Sequence, residues 1–437
     1  MLKRFLGGIH PKDSKVYTMD KVIEIPPLPS EVVIPMSQHI GAPCTPLVKV
    51  GDIVKKGQVI AESDAFMHSP VHASISGEVI KIAEMPHASR VNCLSIVIKN
   101  DGLDEWAPGI PLHREWDKLE NAEILNIIKG AGAVGMGGAT FPTHIKLSPS
   151  KNIDIFIVNA AECEPYLTAD YRMMLEYAER MVTGVKIVMK VLDVSKCFVG
   201  IEDNKPEAVR AMKEAFKGTS VEVVALPTKY PQGAEKMLIK VLTDREVPSG
   251  GLPMDVGVVV QNVGTAISIC DAVVSGIPLI ERVTTVSGDS IKEPKNLLLR
   301  LGTSYEDVIE YCGGFTKTPE KIISGGPMMG MAQFTLDVPV IKGTSGILAL
   351  SSDVINSGEE SHCIRCGRCV KACPMGLVPS MLSILGERHK FKEAKEEYGL
   401  FNCIECGSCV YTCPAKRNIV QYIKYSKAQN LAQSAKK

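Results

Sequence analysis

Eight of the fourteen cysteines stand in two copies of one pattern near the C-terminus. The first is Cys363, Cys366, Cys369 and Cys373, followed by Pro374. The second is Cys403, Cys406, Cys409 and Cys413, followed by Pro414. Each reads C-x-x-C-x-x-C-x-x-x-C-P, the spacing by which short turns hold [4Fe-4S] clusters in bacterial two-cluster proteins. Three sulfurs from one turn reach three irons, and the fourth cysteine of each run ligates the other cluster. The expected ligand sets are therefore crossed: Cys363, Cys366 and Cys369 with Cys413, and Cys403, Cys406 and Cys409 with Cys373. Structural zinc would instead pair two C-x-x-C arms across a longer gap, with no trailing proline. Such clusters carry single electrons, so one-electron transfer is part of the expected chemistry.

A second group of residues suits an anion. Gly130-Ala131-Gly132-Ala133-Val134-Gly135 satisfies G-x-G-x-x-G, but a dinucleotide fingerprint follows a strand and opens a helix. Here the match follows a predicted helix and precedes Pro142, which argues for a coincidence of spacing. The stretch from Gly135 to Lys146, GMGGATFPTHIK, says more. Gly135, Gly137 and Gly138 allow close backbone approach, their N–H groups can cradle phosphate, and Lys146 supplies a countercharge. A Gly-rich connection with a surface lysine would read the same way. Asn159, Glu162 and Glu164 follow a predicted strand at 153–158, and ligands of parallel sheets sit at the carboxyl ends of strands. An exposed acidic loop is the competing reading. His10 and His144 could serve as general acids, although packing or surface roles suit them better.

These residues need elements to position them. The chain of 437 residues suggests roughly three domains. Lys+Arg and Asp+Glu both number 49, so net charge gives no reason to expect nucleic acid. The six other cysteines are scattered, which suits a reducing compartment and not a disulfide framework. The N-terminus lacks an apolar core segment, so no signal peptide is expected. No run reaches eighteen apolar residues, so membrane association is expected only through partners.

Residues 30–100 alternate apolar and polar with glycines at the turns, as short strands do. VGDIVKKGQ and ASISGEV resemble the two hairpins of biotinyl/lipoyl-type barrel-sandwich domains. A carrier needs a lysine at the tip, and none lies between Lys56 and Lys81, so a structural role is expected. From 115 to 280, helical and strand patterns alternate, which implies a largely parallel sheet. Asn121 is the expected N-cap of a helix at 122–129, and 170–192 reads as one helix. Residues 281–335 suggest a small mixed domain of β-grasp type. The linker 380–398 is helical in composition, so the cysteine runs are expected in a helical ferredoxin-like domain.

In combination the motifs resemble a family. GxGGAxFPTxxK followed by NAxExEP is similar to the flavoprotein subunit of respiratory complex I, which holds FMN and accepts hydride from NADH. The whole chain is more similar to the C-subunits of Rnf-type electron transport complexes (NAD:ferredoxin oxidoreductases). The residues FLGGIHP at 5–11, the barrel-sandwich segment, the flavin loops, VPSGGLP at 247–253 and both cysteine runs match in order. The resemblance implies that Gly135, Gly137, Gly138 and Lys146 contact the FMN phosphate and ribityl chain. It implies that Asn159, Glu162 and Glu164 line the flavin and nicotinamide, with Asn262 and Thr265 on the other side. Gly233 and Glu235 stand where complex I has a second glycine–acid loop. Ala161 and Ala234 replace acids, and aromatics expected to grip adenine are unmatched near 147–149 and at Leu252.

The fold class implied is multidomain, α/β plus α+β. The expected units are a barrel-sandwich domain (1–112), a Rossmann-like FMN/NADH domain (113–280), a β-grasp domain (281–345), a two-[4Fe-4S] helical ferredoxin domain (350–425) and a tail (426–437). The implied route joins NADH, non-covalent FMN, two [4Fe-4S] clusters and membrane-embedded and ferredoxin-like partner proteins, with the chain peripheral on the cytoplasmic side. A flavin can accept an electron pair and release single electrons. The alternatives are a cobalamin reductase of the propanediol-utilisation type, which shares the flavin loops and clusters, and a non-catalytic iron–sulfur scaffold.

Overall fold

The computed structural model describes residues 4–355 and 358–435. Near the N-terminus, Glu31–Pro35, Gly77–His87, Arg90–Asn100 and Ile53–Val54 form a four-stranded sheet. Thr45–Pro46, Val59–Glu62 and Val71–His72 form a three-stranded sheet. Val32, Ile34, Val79, Ile96 and Ile98 point inward from one sheet and meet Ile60 and Val71 of the other. Alternation along the strands makes this possible, because residues two apart share a face. A Cβ at Gly77 would lie 1.9 Å from the Lys99 carbonyl, so the strand crossing there requires glycine.

The next unit is a fully parallel sheet in the order Val221–Leu226, Lys196–Glu202, Ile155–Ala160, Val258–Asn262. Asn159 pairs with Asn262 in register, which puts both at the carboxyl ends of adjacent strands. Helices cover the sheet. Ala178–Leu192 and Val263–Ser275 cross where a Cβ at Gly184 would lie 1.8 Å from the Ala266 carbonyl. Two expectations need correction. The helix expected over 170–192 is two, Ala169–Glu176 and Ala178–Leu192, broken at Tyr177. Glu120, not Asn121, caps the helix Asn121–Gly130; Glu120 and Glu123 each accept the other's backbone N–H in a capping box.

A six-stranded sheet follows, in the order Ile23–Glu24, Lys295–Arg300, Glu281–Ser287, Gly346–Leu350, Lys321–Ser324, Met331–Gln333. The strand Gly346–Leu350 lies beyond the expected 345 boundary, yet it is buried throughout and central. A short, uniformly apolar strand carries no period-2 signal, so its pattern does not mark it.

The C-terminal unit is helical, with Arg368–Ala372, Pro379–Glu387, Phe391–Glu396, Ser408–Tyr411 and Ile419–Ala435. The last helix runs through the expected break at 425/426. Asn430 Nδ2 donates to the Phe391 carbonyl at 3.0 Å, and a Cβ at Gly386 would come within 2.6 Å of Ser426 Oγ. Residues beyond 425 are thus part of this unit's packing. The N-terminal segment straps the units together. Gly8 N–H donates to the Ala372 carbonyl (2.9 Å), and Ile9 exchanges hydrogen bonds with Tyr230 (2.8 and 2.9 Å).

Candidate flavin site and cluster centres

The glycine loop is pinned at its start and open along its middle. Gly135 N–H donates to the Phe141 carbonyl (2.8 Å), and Met136 N–H donates to Thr265 Oγ1 (2.9 Å). Asn262 caps the helix Val263–Ser275 through the Gly264 N–H (2.8 Å), and its amide donates to Asp170 (2.6 Å). Gly137 packs against Asn262, where a Cβ would sit 2.9 Å from the Asn262 Cβ. Among the described residues, no hydrogen bond uses the N–H groups of Gly137, Gly138, Ala139 or Thr140. Gly138 has φ 155 with nothing within 4 Å of where a Cβ would stand. Open, successive backbone donors of this kind form an anion nest.

Residues far apart in sequence close the same cleft. Lys146 Nζ meets Glu235 Oε1 at 2.7 Å, so two predicted residues form an ion pair. Asn159 Nδ2 donates to the Gly233 carbonyl (2.8 Å), and Gly233 N–H reaches Cys163 Sγ (3.3 Å). A Cβ at Gly233 would press on that sulfur at 3.2 Å. Gln232 Nε2 and Gln261 Nε2 are buried without a partner. Spare buried donors, a glycine nest and a lysine fit a polar, phosphate-bearing cofactor such as FMN.

Glu162 and Glu164 are committed to the protein. The Glu162 carboxylate accepts N–H groups of Asp170 (2.7 Å) and Tyr171 (3.3 Å), at the start of the helix Ala169–Glu176. The Glu164 carboxylate accepts from Met328 N–H (3.0 Å), Met329 N–H (2.9 Å) and the Tyr230 hydroxyl (3.4 Å). Burial pushes the Glu164 carboxyl up to about 7 against those donors. Burial likewise lifts Asp170 to about 7, with the Glu162 charge second. Two buried lysines hold the loop backbone. Lys15 Nζ donates to the carbonyls of Glu162 (3.0 Å), Glu164 (3.1 Å) and Leu167, and Lys205 Nζ to that of Ala161 (2.8 Å). Sequence reasoning missed Lys15, Lys205 and Tyr230, because isolated lysines and tyrosines carry no spacing signal. His144 lies beside His68, with ring centroids 6.4 Å apart, and burial lowers it to about 4.

Cys403, Cys406 and Cys409 line one pocket together with Cys373 of the other run. Leu377, Leu382, Val420 and Ile423 enclose it. Burial raises the Cys403 thiol to about 11 and also raises Cys409, where neighbouring sulfurs add to the effect. Thiolates crowded in apolar surroundings need a cationic centre among them. Sulfurs spread around a cavity fit the span of a cluster. In the other set, Cys369 is buried in an apolar cluster with Leu382 and Ile423, against which Cys413 packs and which also holds Cys409; Cys363 is half-buried and Cys366 exposed. The Tyr230 hydroxyl donates to the Cys406 carbonyl at 2.7 Å and so joins the flavin-type domain to the second run.

A strand-end glycine loop with free backbone donors, bonded to a sulfur-lined helical domain, fits a class, the electron-transfer proteins that combine a flavin domain with iron–sulfur centres. Family models agree. The Nuo51 FMN-binding domain matches residues 128–271, the RnfC barrel sandwich hybrid domain 3–103, the SLBB domain 283–332 and a 4Fe-4S dicluster domain 356–414. The chain is 65% identical over 434 residues to the C-subunit of the proton-translocating ferredoxin:NAD(+) oxidoreductase complex of Clostridium ljungdahlii, covering 99% of this chain and 95% of the relative. It is 49% identical over 435 residues to the Na(+)-translocating counterpart of Acetobacterium woodii, covering 99% and 98%. The chain belongs to the RnfC family, the C-subunits of ion-translocating oxidoreductase (Rnf) complexes. An NAD+-reducing [NiFe]-hydrogenase structure shares the fold at TM-score 0.51 and 18% identity, over 71% of this chain and 64% of that one. The cobalamin-reductase alternative finds no support in these matches.

Proposed function

We propose that the chain is the NAD(H)-facing electron-transfer subunit of a membrane-bound ferredoxin:NAD oxidoreductase complex that couples electron flow to ion translocation. The observation that carries this reading is the Tyr230 hydrogen bond to Cys406, which links the cleft-bearing domain directly to a cluster ligand. Bound FMN would exchange an electron pair with NADH and single electrons with the clusters. The chain's own residues bind and orient. The N–H groups of Gly137 and Gly138 take the phosphate, with Gly135 setting the turn and Lys146 adding charge. Asn159, Gly233 and Glu235 form one wall of the cleft, and Asn262 and Thr265 the other. Glu162 and Glu164 shape the loop beside the nicotinamide through their backbone, while their carboxylates hold neighbouring elements.

The ligand sets are crossed: Cys363, Cys366, Cys369 and Cys413 hold one [4Fe-4S] cluster, and Cys403, Cys406, Cys409 and Cys373 the other. The cleft-bearing domain runs over 113–280 between a barrel sandwich (1–112) and a β-grasp unit (281–345, with the strand Gly346–Leu350 added). The cluster domain runs over 350–425 and continues into the final helix. No helix among the described residues is long and apolar enough to cross a membrane. The chain would sit on the cytoplasmic face, held by membrane-embedded and ferredoxin-like partner proteins. The test is cofactor release and turnover of the purified chain. Denaturation should free FMN, not FAD, with about eight irons per chain by the ligand count. NADH should reduce ferricyanide. A colourless chain after cluster removal would point to the scaffold reading instead.

A further inference from the structure

The cluster domain has one covered end and one bare end. The second run is covered: Tyr230 bonds Cys406, and a Cβ at Gly407 would meet the Met328 carbonyl at 2.9 Å. The first run is strapped at its end, where Gly8 N–H bonds the Ala372 carbonyl, and bare at its start. Cys366 is exposed, and so are Ile364 (67%) and Val370 (38%). Exposed Arg365 and Arg368 stand between them, and exposed Lys371 follows Val370. In the same domain Arg417 pairs with Glu387 (2.7 Å) and Lys427 with Glu405 (2.7 Å), while exposed Arg388, Lys395 and Lys416 are, among the described residues, in no ion pair and are scattered away from Cys366 in sequence. Arg365, Arg368 and Lys371 pair with no acid among the described residues. Three unpaired cations around an exposed cluster ligand, flanked by two apolar side chains, have the character of an interface and not of a neutral solvated edge.

We infer that residues 362–371 form the docking face for an acidic protein that carries one electron at a time. This rests on the reading that the first run holds a cluster. One electron crosses the contact, so one centre is oxidised by one and the other reduced by one, and no bond or proton need move. Charge complementarity selects an acidic partner and speeds its encounter.

The test is charge reversal in the full complex: Arg365→Glu/Arg368→Glu/Lys371→Glu, with Lys392→Glu/Lys395→Glu on an exposed helix as control. Iron content and reduction of the clusters by NADH in the isolated chain report on the cofactors alone. These should match the wild type, at about eight irons per chain. Electron transfer to the rest of the complex should fall more than about tenfold at low ionic strength, and the gap should narrow as salt screens the contact. Equal transfer in triple variant and wild type, or an equal loss in the control, overturns the docking face. Arg365 lies between two ligands, so the variant Arg368→Glu/Lys371→Glu repeats the test if the triple variant loses iron. Wild-type protein with far fewer than eight irons would instead sink the cluster reading itself.

Discussion

At the scale of single residues, Lys146 shares its charge between Glu235 and the proposed phosphate site, and that sharing can be tested. Lys146→Ala should weaken FMN retention by about 1.5–3 kcal/mol for the lost charged contact, and more where Glu235 is left facing the phosphate. Adding Glu235→Ala should restore part of the loss, as coupled neighbours do. Flavin content that stays at the wild-type level in Lys146→Ala would take the lysine out of the phosphate site. A second prediction concerns Tyr230. Tyr230→Phe keeps the ring but leaves the Cys406 carbonyl without its donor, at a cost of about 1–3 kcal/mol. Thermal scans should show a lower unfolding midpoint with iron content unchanged; an unshifted midpoint would show that this bond does not help dock the cluster domain. Both residues mark a limit of local pattern. Lys146 was legible as a countercharge beside glycines, whereas its partner stands 89 residues away, and no spacing rule announces a long-range ion pair. Tyr230 belongs to no motif, so its bond to a residue of the second cysteine run was not legible at all.

At the scale of elements, periodic strands and helices were legible to within a few residues. The strand Gly346–Leu350 was not, because burial on both faces erases alternation. The crossed ligation is a proposal drawn from spacing, and the pocket that Cys373 shares with Cys403, Cys406 and Cys409 is consistent with it. Cys373→Ser should therefore remove the same paramagnetic signal as Cys409→Ser, and Cys413→Ser the same signal as Cys363→Ser. A Cys373→Ser spectrum that matches Cys363→Ser would show uncrossed ligation. Lys342, invisible to any motif, ties two elements together: its buried Nζ donates to the carbonyls of Pro70 (2.9 Å) and Gly132 (2.7 Å). Burial lowers it from 10.5 to about 7. The unfolded chain then binds a proton that the folded chain has lost between those values, so this group makes stability rise with pH across that window. Lys342→Met should flatten the rise in unfolding midpoint across the same window; a slope equal to the wild type's would assign it elsewhere.

At the scale of the whole molecule, the order of the domains was legible, while their joints were not. The strap at residues 5–11 read as a family motif, yet its work is mechanical. Gly8 and Ile9 bond the cluster domain and the flavin-type domain at once, and a Cβ at Gly7 would strike the Cys373 carbonyl at 2.5 Å. These contacts cover the end of the first run, the Tyr230 bond covers Cys406 of the second, and Cys366 at the start of the first run stays exposed. Among the described residues no helix is long and apolar enough to cross a bilayer, and exposed cations such as Arg368 and Lys371 would bind through charge. Attachment of this kind weakens with salt and with alkaline pH, which screens or discharges basic side chains, whereas a bilayer-spanning helix resists both. Membranes washed with high salt or carbonate should therefore release the chain into the supernatant with its iron and flavin, leaving the embedded partners behind. Retention of the chain in washed membranes stripped of those partners would contradict peripheral attachment.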